Sequence, residues 1–102
     1  MIVCFYCKDY SGDEPARLRK EYLKPHLDYI EANMDAVKVA GPLYDDRQNI
    51  VGSCLIFKAD SEADARRLFE ADPYYSCGGI WETVEVTVFN TVAGEWVGGR
   101  LW

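Results

Sequence analysis

One histidine stands in the chain, His26, in the run Lys24-Pro25-His26-Leu27-Asp28-Tyr29. Imidazole has an ordinary pKa of about 6.5, so it can exchange protons at neutral pH. Asp72, in Ala71-Asp72-Pro73-Tyr74, is the best candidate partner. A residue before proline is driven to extended backbone, so Asp72 projects from the end of the helix that precedes it. A carboxylate on one ring nitrogen would fix the tautomer and support the imidazolium, leaving the other nitrogen as general base or acid. Such a dyad suits proton abstraction, isomerisation or elimination of a leaving group. Ser53 or Cys77 beside the imidazole would instead give half of a nucleophilic site. On residue pattern alone the simpler reading is a helix-surface histidine and an aspartate that merely caps before proline.

Other residues could complete a site. Tyr74, Tyr75 and Ser76 follow Asp72 and lead into Gly78-Gly79. Rings, a hydroxyl and flexible glycines could line a pocket and close on a small aromatic or enol substrate. Ser53 and Tyr6 could face the same cleft, with core packing the simpler role for Tyr6. Cys4 and Cys7 spell C-x-x-C, but residues three apart in a strand point to opposite faces. With one histidine, and Cys54 and Cys77 scattered, buried hydrophobe-like cysteines are expected and a metal site is not. No cofactor is expected either. Asp45-Asp46 reads as a solvated loop.

Length and charge bound the function. The 102 residues suit one domain, and 49% hydrophobic residues can build a core. A net charge of −6, with no Lys/Arg cluster to offset it, argues against nucleic acid or anionic lipid as partner. No apolar run reaches the roughly 20 residues of a membrane span. Met1 to Cys7 is too short for a signal peptide and lacks a basic start, so the expected home is the cytoplasm, with reduced cysteines.

The elements that must position His26 and Asp72 can be read in order. Met1–Lys8 is apolar on both alternating sets, as in a strand buried on both faces. Ala16–Ala32 has helical spacing, with Leu23, Leu27 and Ile30 on one face and a kink or restart expected at Pro25. If the helix restarts, His26 lies in its first turn. Ala36–Ala40 reads as a short strand stopped by Gly41-Pro42, and Ile50–Ala59 as a long one. Gly52-Ser53 near its start permits close approach of a backbone or ligand. Ser61 caps a second helix whose buried stripe is Ala65, Leu68 and Phe69. Tyr74–Gly79 reads as a loop. Ile80–Asn90 is the last strand, with Ile80, Val84, Val86 and Val88 on one face and Trp81, Thr83, Glu85, Thr87 and Phe89 on the other.

The order β-α-β-β-α-β predicts an α+β, ferredoxin-like protomer: a four-stranded antiparallel sheet with two helices on one face. The other face is bare yet apolar in two strands, which predicts a homodimer through the sheets. Residues 1–90 form the domain. Residues 91–102, with Trp96, Leu101 and Trp102, form a tail expected to pack on the same or a neighbouring subunit, with a higher oligomer through the tail as one outcome.

Four segments carry a family resemblance: Leu23-Lys24-Pro25-His26-Leu27-Asp28-Tyr29-Ile30, Val39-Ala40-Gly41-Pro42-Leu43, Val51-Gly52-Ser53-Cys54-Leu55-Ile56 and Ala71-Asp72-Pro73-Tyr74. In order and spacing they resemble the YCII-related (YciI-like, DGPF-related) group of the dimeric α/β-barrel superfamily, over roughly residues 1–90. The resemblance implies a ferredoxin-like protomer, a dimeric α/β barrel and a cleft built on a His–Asp pair, here His26 and Asp72. It implies a small enzyme without cofactor doing acid–base chemistry on a small organic molecule, by isomerisation, elimination or dehydrochlorination. The alternative is a non-catalytic module that binds or senses a small ligand on the same scaffold.

Overall fold

The computed structural model describes residues 1–102. Its centre is strand β1 (Ile2–Asp9), which pairs on both edges. The other main strands are β2 (Val37–Tyr44), β3 (Ile50–Lys58) and β4 (Trp81–Phe89), in the order β2-β3-β1-β4. Every neighbouring pair is antiparallel. This is the ferredoxin-like split βαβ arrangement.

The alternation of side chains decides where the core lies. Val3, Phe5 and Cys7 of β1 and Leu55 and Phe57 of β3 face the helices and are buried. Helix α3 (Glu62–Glu70) closes over them with Ala65 and Phe69. Ser61 caps it, accepting the Asp64 N–H at 3.1 Å. The Phe69 ring stacks on Phe5 at 4.3 Å and on Trp81 at 5.3 Å, so aromatic contact ties α3 to the sheet.

The first helical stretch is two helices, α1 (Glu14–Glu21) and α2 (Leu23–Ala32), broken at Tyr22. The break falls three residues ahead of Pro25. Continuing α1 would drive the Pro25 ring into the carbonyl four residues back, so the chain restarts at Leu23. Pro25 then sits in the first turn of α2, where its missing N–H costs no helix bond. The His26 N–H makes the first one, to the Tyr22 carbonyl at 3.0 Å.

Three local expectations need correction. Strand β2 does not stop at Gly41-Pro42 but runs through to Tyr44, with Pro42 opposite Ser53. It is an edge strand, where a proline needs no ladder partner on its free side. The stretch after Asp72 is not all loop: Pro73–Ser76 forms a short helix, α4. Trp81 does not share a face with Thr83 and Glu85. The β1–β4 register shifts between Lys8 and Asp9, so Thr83 opposes Lys8 while Trp81 opposes Asp9. That irregularity turns Trp81 to the helix side, where it is buried.

The opposite sheet face is uncovered. Tyr6 and Phe89 are each about half exposed there. Residues 91–102 fold into a small hairpin, β5 (Ala93–Gly94) and β6 (Gly99–Arg100), around a 3₁₀ turn at Glu95–Val97. The hairpin, Met1, Ile2, Val39, Ile56 and Phe89 bound a groove of about 790 Å³. Trp96 and Trp102 stay exposed. No helix is long and apolar enough to cross a membrane.

Candidate active site

The geometry starts from Asp72. Its backbone is extended (φ −66°, ψ 130°), as proline at the next position requires, and it turns its carboxylate back into the protein, where it is 0% exposed. A buried carboxylate must find donors. Asp72 finds two: the Tyr74 N–H at 2.9 Å, which caps α4, and His26 Nδ1 at 2.7 Å from one oxygen and 2.9 Å from the other. An acceptor at Nδ1 keeps the proton there and leaves Nε2 as the bare, basic nitrogen. The Tyr74 ring lies flat on the imidazole, with centroids 3.7 Å apart and planes within 4°. Carboxylate and ring together fix both the tilt and the tautomer of His26. Burial pushes the Tyr74 phenol above its ordinary pKa, so the hydroxyl stays protonated and donates to the Arg19 carbonyl at 2.9 Å.

Arg19 is the second anchor. Its guanidinium forks onto Asp9 at the end of β1, with Nη2 2.9 Å from Oδ1 and Nη1 on Oδ2; both side chains are nearly buried. Nη2 also reaches the Gly52 carbonyl at 3.2 Å and Ser53 Oγ at 3.1 Å. Gly52 is required here because an added Cβ would lie 2.2 Å from the Cys7 carbonyl oxygen. The close approach that this glycine permits is therefore to the β1 backbone, not to a ligand.

These groups surround a cleft of about 500 Å³ between α2 and the sheet. Leu23, His26, Leu27 and Ile30 of α2 form one wall; Ala40, Pro42, Ser53 and Leu55 form the other; Arg19, Tyr74 and Trp81 also line it. The Trp81 ring borders a smaller cavity as well, near Phe69 and Tyr75. Its buried indole N–H has no partner in the protein. No group of three or more His, Cys, Asp or Glu comes together as metal ligands. The arrangement can orient one imidazole over an apolar chamber and present hydrogen-bond donors to what the chamber holds.

The family model of the YCII-related domain matches residues 1–90. The chain belongs to the YCII-related family. It is similar to the 5-chloro-2-hydroxyhydroquinone dehydrochlorinase (TftG) from Burkholderia phenoliruptrix AC1100, solved in complex with 2,5-dihydroxybenzoquinone. The two share 26% identity with a TM-score of 0.76, over 93% of this chain and 97% of that one. Two other solved structures share the fold at 18% identity and TM-scores of 0.52. One is protein Atu4242 from Agrobacterium tumefaciens, over 87% of this chain and 90% of that one. The other is a NIPSNAP domain protein from Burkholderia xenovorans, over 91% and 96%. No curated protein matches the chain.

Within this YCII-related domain, only some of the residues expected at a site meet. His26, Asp72, Ser53 and Tyr74 converge on the cleft or on one another. Tyr6, Tyr75 and Ser76 do not line it. Tyr6 has the wrong parity in β1 and sits on the open face, 50% exposed. Tyr75 and Ser76 are rotated away by the helical turn of α4; Tyr75 leans on Phe69 at 5.2 Å and Ser76 is exposed. Neither expected nucleophile is set up as one. Ser53 accepts from Arg19 and makes no bond to His26, and the Cys77 thiol donates to the Tyr74 carbonyl at 3.4 Å. The C-x-x-C pair diverges: Cys7 is buried, its thiol pushed up to about 12 by desolvation, while Cys4 lies on the open face with its sulfur 3.9 Å from that of Cys54. Arg19 and Trp81 were not expected. Arg19 had no spacing signal, since the break at Tyr22 puts it on a different helix from Leu23, His26, Leu27 and Ile30. Trp81 had none, because its place depends on the register shift.

Proposed function

We propose that the protein is a small acid–base enzyme in which His26 moves a proton and Asp72 positions it. The observation that carries this is a buried carboxylate on His26 Nδ1 beside an apolar cleft that the imidazole lines. The substrate is a small hydroxylated ring or enol. Nε2 takes a proton from it; the electron pair left behind either expels a leaving group such as chloride or is reprotonated at another carbon. The first course is elimination, the second isomerisation. The relative named for dehydrochlorinating 5-chloro-2-hydroxyhydroquinone supports the eliminating course. The four free thiols suit a cytoplasmic home.

The apolar walls of the cleft favour a second reading, a binding module that holds such a ring without changing it. One experiment separates the two. The protein is mixed with 5-chloro-2-hydroxyhydroquinone while chloride release is followed, and with 2,5-dihydroxybenzoquinone while melting is followed. Acid–base catalysis predicts that His26→Ala and Asp72→Asn lower turnover by about 10²–10⁴-fold with folding intact. Turnover that survives His26→Ala would sink the dyad. A melting shift with no chloride release from any chlorinated hydroquinone offered would leave the binding module.

We also propose that the protein works as a homodimer through its open sheet face, where Tyr6, Val39 and Phe89 are exposed beside the half-buried Ile2, Cys4 and Ile56. The 91–102 hairpin at its edge is placed to touch the second copy or to extend the assembly. Light scattering in solution should give twice the mass of the chain or a multiple of that. A monomer at micromolar concentration contradicts the proposal.

A further inference from the structure

We propose that Ser53, with its hydroxyl set as a donor by Arg19, holds an ionised oxygen of the substrate. The inference rests on the acid–base reading and gives its substrate class: a phenolate or enolate.

A guanidinium can only donate, so the 3.1 Å contact from Arg19 Nη2 makes Ser53 Oγ the acceptor. The single Ser53 proton then points elsewhere, and no protein group accepts it. Ser53 is buried and lines the cleft. The contact with Arg19 draws electron density from the hydroxyl and strengthens it as a donor. Arg19 cannot swing out to meet solvent anions, because Asp9 pins it from the other side.

A donor without an acceptor that lines a cleft points to a ligand that accepts. The carboxylates nearest the cleft are already taken up, Asp72 by His26 and the Tyr74 N–H and Asp9 by Arg19. The cleft therefore offers a base at His26 and a donor at Ser53. When Nε2 removes a proton from a hydroxylated ring or enol, negative charge develops on the substrate oxygen. Fixed donors that meet that oxygen lower the cost of the step.

The test uses 4-nitrophenol, whose absorbance reports its ionisation, against its O-methyl ether, 4-nitroanisole, which carries no charge. Wild-type protein should bind the phenolate about tenfold more tightly than the ether and shift the bound phenol toward its ionised form. Ser53→Ala should lose about tenfold of phenolate affinity, with the affinity for the ether unchanged. If Ser53→Ala fails to fold, Ser53→Cys keeps the volume with a weaker donor and should show a loss in the same direction. Equal affinity for phenolate and ether in wild type, or an undiminished preference in the Ser53 variants, overturns the proposal. 4-Nitrophenol undergoes no reaction, so failure here leaves the His26 turnover test standing, and failure of that test leaves this result standing.

Discussion

Helices α2 and α3 carry the same kind of apolar stripe and use it differently. In α3, Ala65 and Phe69 press into the sheet and disappear from solvent. In α2, Leu23 and Leu27 keep 47% and 52% of their surface, and no residue of the helix is buried. Two polar ties hold α2 in place: the Tyr29 hydroxyl donates to the Leu68 carbonyl at 2.7 Å, and His26 is tied to Asp72. The α2 stripe is thereby held off β2 and β3, and the gap is the cleft. An apolar face that a helix does not bury is surface kept for something else. One helix stabilises the domain, and its near-equivalent forms the chamber.

The contrast breaks most visibly at Phe69. Its ring stacks on Phe5 and Trp81 and tilts against Tyr75. Phe69→Ala removes all three contacts and leaves a cavity. The expected loss is about 3–5 kcal/mol, measured by urea unfolding. That is a large share of the roughly 5–15 kcal/mol available to a domain. A loss under about 1 kcal/mol would mean that α3 is no more of a core helix than α2.

Much of this was legible in the sequence, and the reasons it failed elsewhere are local. Strand parity in Met1–Lys8 placed Val3, Phe5 and Cys7 on one face, and the periodicity of residues 61–71 placed Ala65 and Phe69 under α3; both patterns are short-range. The termination of β2 at Gly41-Pro42 was misread because a proline is harmless only on an edge strand, and edge position is a property of the whole sheet. Tyr6 was misplaced in the cleft although its parity already opposed that. The side of Trp81 is lost to a single register shift, between the Lys8–Thr83 and Asp9–Trp81 pairs. Leu23 and Leu27 were read as a stripe without a destination, since spacing shows that a face is apolar and not what covers it.

The smallest expected effect sharpens the comparison most. Leu27→Ala truncates a side chain already half exposed, and alanine is the better helix former, so stability should change by less than about 1 kcal/mol. Ligand binding should suffer instead. Leu27 lines the cleft, and a ring bound there would lose its contact with the removed carbons. At about 0.8 kcal/mol for each buried methylene, partial loss of that wall corresponds to roughly a fivefold drop in affinity for 2,5-dihydroxybenzoquinone, read by titration calorimetry. The division between stability and binding carries the argument. Loss of several kcal/mol of stability with affinity unchanged would make Leu27 a core residue and the cleft an accident of packing. A stable protein that binds more weakly makes the α2 stripe the wall of a site.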